Sequence, residues 1–159
     1  MRKAALVQQI VARLRENFTI LEKAARASHD EATHESSKAD NKYDTRGLEA
    51  SYLARGQSRQ AREILDAIGS YEALPVRDFG PGDPIDLTAL VTVDAGGSRS
   101  TYFVGPTSGG LEIEFQNEEI LVITPQSPLG QNLIGKKAGQ HWTAKLGGAT
   151  AKYNILSVS

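Results

Sequence analysis

The acidic residues best placed to do chemistry lie close together between residues 31 and 44. Glu31, Glu35, Asp40 and Asp44 fall within this short segment, with basic residues interspersed among them. Carboxylate oxygens are the ligands that hard cations such as Mg²⁺ prefer. If a partner supplies the remaining ligands, exposed carboxylates of this segment can contribute oxygens to a shared Mg²⁺. The alternative is a solvated charged segment, which mixed charges of this kind often form.

Other catalytic and metal-binding arrangements find little support. The chain contains no cysteine, so disulfides and thiolate metal sites are excluded. His29 and His34 are five positions apart, a spacing that does not bring both rings to one face of a helix. The glycines of GPTSGG and LGQNLIGKKAG do not follow the strand, glycine loop and helix order that holds phosphates. Because no nucleophile and base can be paired, we do not expect an enzyme.

Charge and hydropathy limit the kinds of partner. The chain has 159 residues, with 18 basic and 19 acidic side chains and a net charge of -1. This balance argues against binding to DNA or RNA through the overall field, although a local patch remains open. No apolar run is long enough to span a bilayer, and Arg13 and Arg15 interrupt the N-terminus before a signal-peptide core could form. We therefore expect a cytoplasmic protein with no membrane partner.

Two long helical patterns occupy the first half of the chain. Apolar residues recur every three or four positions from Arg2 to about Ala32, and again from about Asp44 to Tyr71. Each helix would be about 45 Å long at 1.5 Å per residue, and isolated helices of this kind need a partner to be stable. The pattern predicts an antiparallel coiled-coil hairpin over residues 1–74, with its tip near 34–44.

The second half of the chain changes from a helical period to alternation. Residues 75–84 are rich in proline and glycine and are predicted to be a linker. From 85 to 159 the pattern predicts a small antiparallel sheet domain with one short helix, so the fold class is α+β. In SPLGQNLIG, Ser127 can cap this helix, Pro128 fits its first position, and Gly135 can end it. The residues expected in the core are Leu87, Leu90, Val91, Val93, Tyr102, Val104, Ile113, Phe115, Leu121, Ile123, Leu133, Trp142, Leu146, Tyr153 and Ile155.

The order of these parts is similar to that of a known family. A helical hairpin, a proline-rich linker and a sheet domain containing ITPQSPLGQNLIGKKAG resemble the Gre family of bacterial transcription elongation factors. The residues that carry the resemblance are the strand 121–124, the pair Ser127-Pro128, the run 133–136, Gly139 and the closing hairpin. They lie in roughly the last half of the chain, while the first half matches in architecture.

The resemblance implies a partner and a separate role for each half of the chain. It implies that the C-terminal domain, similar in fold to FKBP prolyl isomerases, docks at the mouth of the RNA polymerase secondary channel, while the hairpin reaches inward. Ser127, Pro128, Gly135 and Lys136 are then the candidates for polymerase docking. The chain would at most stimulate RNA cleavage by the polymerase, contacting nascent RNA only indirectly. No tightly bound cofactor or metal is expected, and Mg²⁺ would be shared with the polymerase active site.

The tip motif of the family has the form D-x-x-E-N, and this chain departs from it. Matching Asn41 to the asparagine places Asp40 at the glutamate position and Ser37 at the aspartate position. A serine cannot supply a charged ligand, so Glu35 or Asp44 would have to provide the second acid. The resemblance therefore implies polymerase binding more directly than it implies stimulation of cleavage.

Two alternatives remain open from the sequence. The chain can be a regulator that occupies the polymerase channel without stimulating cleavage. It can also be a coiled-coil interaction module, because Gln57 and several alanines weaken the apolar seam of the second helix. Such a seam packs weakly alone and can pack against another helix. A monomer is expected, with a dimer through the coiled coil as the alternative.

Overall fold

The computed structural model describes residues 2–36, 56–146 and 148–159. The chain divides into two compact units, one formed by Val11–Gly69 and the other by Met1–Ile10 together with Ser70–Ser159. The boundaries predicted from the sequence fall at residues 74 and 85. In the structure the first ten residues belong with the sheet rather than with the rest of the first helix.

Two long helices account for the described N-terminal half. Helix α1 runs from Arg2–Ser36 and has 35 residues, which is about 52 Å at 1.5 Å per residue. Helix α2 spans Gly56–Glu72. Leu6, Ile10 and Leu14 are buried at steps of four along α1, as expected for one apolar face. The predicted tip, and the predicted start of the second helix at Asp44, lie outside the described residues.

The C-terminal half is a six-stranded sheet with one short helix, which confirms the predicted α+β class. The strands are β1 Leu90–Ala95, β2 Ser98–Val104, β3 Glu112–Phe115, β4 Glu118–Ile123, β5 His141–Leu146 and β6 Ala149–Val158, and the helix is α3 Pro128–Leu133. The strand order is β3-β4-β2-β1-β6-β5. The alternation in HWTAKL and ATAKYNILSV predicts strands over 141–146 and 149–158, which are the bounds of β5 and β6.

One strand pair differs from the predicted antiparallel sheet. Strands β2 and β4 are parallel, whereas the other neighbouring pairs are antiparallel. The chain passes from β2 to β3 at the sheet edge and then reverses through Gln116 and Asn117, which both have positive φ angles of 54° and 61°. Because β4 returns between β3 and β2, it runs in the same direction as β2.

The central strands are buried on both faces. One face contributes Val91, Val104 and Ile123 to a core that also contains Leu133 of α3. Phe103, Ile120 and Val122 alternate with that set and are fully buried as well. Arg2 at the start of α1 pairs with Glu118, which shares a strand face with Ile120 and Val122 because side chains alternate. The first turns of α1 therefore lie over the second face.

The predicted core is mostly correct, with corrections at its margin. Trp142 is buried and stacks on Tyr153 with ring centroids 4.8 Å apart. Tyr102, Leu121 and Tyr153 are only half-buried, and the side chain of Leu146 lies outside the described part of the chain. Leu87 was predicted to be buried and is instead 37% exposed.

The error at Leu87 has a local cause. The alternation in IDLTALVTVD predicts a strand over residues 85–94, but β1 begins at Leu90. Thr88 has a φ of 73°, which is incompatible with a regular strand. Ile85 instead exchanges backbone hydrogen bonds with the end of the α3 segment: its N–H donates to the Lys136 carbonyl at 2.8 Å, and its carbonyl accepts from Gly135 at 2.9 Å.

The segment predicted as a linker packs on the start of α1. Phe79 is buried in the sheet core. The Lys3 ammonium, also buried, lies 4.8 Å from the centroid of the Phe79 ring and donates to the carbonyls of Arg77 and Thr88. The Arg77 guanidinium lies 4.0 Å from the same centroid. We call Lys3, Arg77, Phe79 and Thr88 the Lys3 cluster.

Tyr71, near the end of α2, anchors the loop that follows β2. It is 1% exposed, and its hydroxyl donates to the Thr107 carbonyl at 2.6 Å. Gly105 lies so close that a Cβ atom there would be 2.1 Å from the Tyr71 hydroxyl oxygen. Burial raises the pKa of Tyr71 well above its ordinary value, because the tyrosinate would lose its hydration.

Tyr71 should make the protein lose stability at alkaline pH. In the unfolded chain a tyrosine ionises near pH 10, while the folded state keeps Tyr71 protonated. Ionisation therefore stabilises the unfolded state relative to the folded state as pH rises above about 10, and the free energy of unfolding falls. We expect Tyr71→Phe to reduce this alkaline loss by roughly 1 kcal/mol at pH 11. Urea unfolding at several pH values measures it, with Tyr102→Phe as the matched control. Identical alkaline slopes for wild type and Tyr71→Phe would contradict this assignment.

Candidate functional site

The segment around α3 contains the residues predicted from the sequence to form a site. Ser127 caps the helix: its Oγ accepts a hydrogen bond from the Gly130 N–H at 3.0 Å and donates to the Thr124 carbonyl at 2.7 Å. Pro128 occupies the first helical position, where its missing N–H has no cost. The predicted cap and start of this helix are thus both observed.

Gly130 is required by the close approach of α3 to the end of β4. A Cβ atom at this position would lie 1.8 Å from the Thr124 carbonyl oxygen and 2.9 Å from Ser127 Oγ. Only a glycine leaves room for this packing. Together with Leu133, which is fully buried, Gly130 fixes the distance between the helix and the sheet.

The end of α3 is held from two sides. Gly135 has a φ of 86°, a value that suits glycine at a helix end. The Lys136 ammonium donates to the Asn132 carbonyl and lies 5.8 Å from the centroid of the Trp142 ring. A cation in this position is attracted by the ring face. Lys136 is therefore ordered rather than freely solvated.

The structure brings the four predicted docking residues to one short segment. Pro128 and Gly135 are exposed, and Ser127 and Lys136 are half-buried. The side-chain hydrogen bonds of Ser127 and Lys136 run to backbone groups of the same segment, and the backbone of Gly135 and Lys136 is paired with Ile85. The arrangement offers no nucleophile and base for catalysis. It presents an exposed proline and a half-buried lysine from a rigid helix, which suits recognition of another protein.

This domain matches a known protein family. The family described as transcription elongation factor, GreA/GreB, C-terminal, matches residues 81–159. The chain belongs to the Gre family through this domain. The match contains every strand of the sheet and the whole of α3.

Solved structures of Gre-related factors are similar to the chain over most of its length. GreA factor homolog 1 (Gfh1) of Thermus thermophilus is 20% identical, with 98% of this chain and 93% of that chain covered and a TM-score of 0.37. Gfh1 of Thermus aquaticus is also 20% identical, with 99% and 94% covered and a TM-score of 0.39. At these scores neither likeness bears on function. No curated protein sequence matches the chain.

The Gre tip residues fall at or beyond the end of the described part of α1. Glu35 lies in the last turn of α1, while Ser37, Asp40, Asn41 and Asp44 lie outside the described residues. Within residues 2–36, 56–146 and 148–159, no group of three acidic or histidine side chains is arranged to hold a metal ion. None of the described helices is long and apolar enough to cross a membrane.

Sequence reasoning missed the Lys3 cluster. One signal was available: Lys3 stands three and seven positions before Leu6 and Ile10, so it shares the buried face of α1. A lysine on an apolar face indicates either a buried charge with partners or a side chain that reaches solvent. Only the tertiary structure shows that its partners are the carbonyls of Arg77 and Thr88.

Proposed function

We propose that this Gre-family protein docks on RNA polymerase through the α3 segment and inserts the end of its helical hairpin into the secondary channel to modulate elongation. The observation that carries this proposal is the family match over residues 81–159, which coincides with the sheet and α3. Family membership supports a transcription factor that acts through the polymerase rather than an enzyme.

The geometry of the α3 segment supports its role in docking. Pro128 projects from a helix whose first turn is fixed by the Ser127 cap and whose packing distance is fixed by Gly130. Binding loses little conformational entropy when the contact residues are ordered beforehand. Lys136, held at the Asn132 carbonyl and over Trp142, adds a positive charge at a defined place.

The length of α1 supports the insertion of a tip. A helix of 35 residues reaches about 52 Å, which lets a slender element enter a channel that a globular domain cannot. Asp40, with Glu35 or Asp44, would then contribute oxygens to an Mg²⁺ held by the polymerase. This contribution is proposed from the tip motif alone.

Binding to purified bacterial RNA polymerase tests docking. We expect the wild-type protein to form a complex at low salt, and Pro128→Ala to weaken it about tenfold, or about 1.4 kcal/mol. Pro81→Ala is the matched control, because Pro81 is also exposed and lies outside α3. Failure of the wild-type protein to bind would refute docking. Equal binding by the two variants would show that α3 is not part of the interface.

RNA cleavage in backtracked polymerase complexes separates two modes of action. If the protein stimulates cleavage, RNA shortening should occur and should be lost in Asp40→Ala and Glu35→Ala. Ser37 at the expected aspartate position favours the second mode, in which the protein occupies the channel and slows elongation without shortening RNA. Binding without shortening would select that mode.

The helical unit also presents a feature that favours an interaction module. Ile20 on α1 and Leu65 on α2 are 59% and 52% exposed, and exposed large apolar side chains can bind a further helix. Size-exclusion chromatography with light scattering decides this candidate. A stable dimer that is lost in Ile20→Gln and Leu65→Gln would support it, and a monomer would reject self-association.

A further inference from the structure

Positive charge is concentrated at the end of the chain. Residues 120–159 contain four lysines and no Asp or Glu, so the first 119 residues, with 14 basic and 19 acidic side chains, carry a net charge of −5. The overall charge of −1 therefore conceals a strong asymmetry. In the fold, the four lysines follow α3 or lie on β5 and β6, and these two strands form one end of the strand order.

The register of the β5–β6 hairpin separates a core side from an outward side. Trp142 pairs with Tyr153, and both belong to the core side. Directly paired residues share a face and alternate residues change face. The outward side, which we call the basic face, consists of His141, Thr143, Lys145, Thr150, Lys152 and Asn154.

Among the residues that the structure describes, the two lysines of the basic face have no acidic partner. Lys145 and Lys152 are exposed, and the ion pairs formed by the described residues do not include them. On the neighbouring strand, Asp94 lies between Asn154 of β6 and Arg99 of β2. The arginine opposite Asp94 partly offsets its charge, so the basic face keeps its positive potential.

The acidic edge of the sheet is too far away to cancel this potential. Glu112, Glu114, Glu118 and Glu119 lie on β3 and β4, at the other end of the strand order. With about 4.8 Å between neighbouring strands, β5 is about 19 Å from β4 and about 24 Å from β3. The Debye length is about 10 Å at 0.1 M salt. A polyanion near β5 would therefore respond mainly to the lysines.

The chemistry of the basic face selects the kind of polyanion. Protein interfaces need buried aromatic or apolar anchors, and of the described residues of β5 and β6 only Leu156 is a large, exposed apolar side chain. Single-stranded nucleic acids need exposed aromatic rings for base stacking, but Trp142 is buried against Tyr153. Lysine, threonine and asparagine side chains suit phosphate oxygens.

We propose that the basic face binds the phosphate backbone of duplex DNA without reading its sequence. This contact is separate from polymerase docking at Pro128, because its residues lie on the outward side of β5 and β6. In a transcription complex it would give the protein a second, salt-sensitive attachment. Non-specific contacts of this kind have dissociation constants of about 10⁻⁴ to 10⁻⁶ M at physiological salt, and binding should be tighter at low salt.

Fluorescence anisotropy with a short labelled DNA duplex, in the absence of polymerase, tests this proposal. We expect Lys145→Gln/Lys152→Gln to weaken binding about tenfold at low salt and to lower the slope of log K against log salt by about 2. Lys145→Arg/Lys152→Arg should retain binding. Arg59→Gln/Arg62→Gln is the control, because it removes two exposed charges from α2.

Each alternative outcome overturns the proposal. No binding of the duplex by the wild-type protein at low salt rejects it, as does binding that the lysine variant leaves unchanged. Loss of binding in the Arg59/Arg62 variant instead would assign the contact to the helices. Tighter binding of the same sequence as a single strand would reject the duplex, and tighter binding of a polyglutamate peptide would assign the basic face to an acidic protein. Because no polymerase is present, these results do not depend on whether docking is correct.

Discussion

Replacing Gly130 with alanine is expected to destabilise the C-terminal domain by about 3 kcal/mol. The new methyl group would lie 1.8 Å from the Thr124 carbonyl oxygen and 2.8 Å from its carbon. Both are backbone atoms at the end of a central strand, so they cannot rotate away as a flexible side chain would. Moving α3 outward instead would break the Ser127 cap and open the contact of Leu133 with the core.

Urea denaturation followed by tryptophan fluorescence measures this effect, because Trp142 is the only tryptophan in the chain and lies in this domain. Gly69→Ala is the matched control: Gly69 lies in α2, and nothing is within 4 Å of the Cβ position there. It should be neutral or stabilising by up to about 1 kcal/mol, since alanine has the higher helix propensity. Similar midpoints for the two variants would show that α3 can shift without cost.

Replacing Lys3 with methionine is expected to destabilise the same domain by roughly 2 kcal/mol. The change keeps an apolar chain of similar length but leaves the carbonyls of Arg77 and Thr88 without their donor, at about 1–3 kcal/mol for each buried group. Removing a buried charge offsets part of this cost. Lys23→Met is the control, because Lys23 is exposed on α1.

The pH dependence distinguishes a buried ammonium from simple packing. Burial lowers the pKa of Lys3, with Asp78 acting in the opposite direction. Between that lowered value and the ordinary lysine pKa of 10.5, the unfolded state binds more protons, so the contribution of Lys3 to stability rises with pH. Lys3→Met should abolish this rise, whereas Lys23→Met should keep it. An unchanged alkaline profile in Lys3→Met would mean that Lys3 acts only by packing.

Local sequence patterns were sufficient for much of this protein. Strands β5 and β6 have the predicted bounds because polar and apolar residues alternate from His141 to Leu146 and from Ala149 to Ile155. The α3 site was also predictable, since Ser127, Pro128 and Gly135 act within a few residues of one another. Helix capping, a proline at the first helical position and a glycine with positive φ depend only on neighbouring residues, so they can be predicted from the sequence.

Contacts between distant segments were decided only by the tertiary structure. Alternation indicated one buried face of the sheet, but Phe103, Ile120 and Val122 are buried on the other face. The start of α1 lies over them, as the pairing of Arg2 with Glu118, 116 positions away, indicates. The parallel pairing of β2 with β4 likewise depends on where β3 is placed. The sequence alone determined the helices, most strands and the α3 motif, because these depend on neighbours along the chain. The covering of the second sheet face, the burial of Lys3 and the separation of acidic and basic edges arise from strand order and long-range packing, which no local pattern encodes.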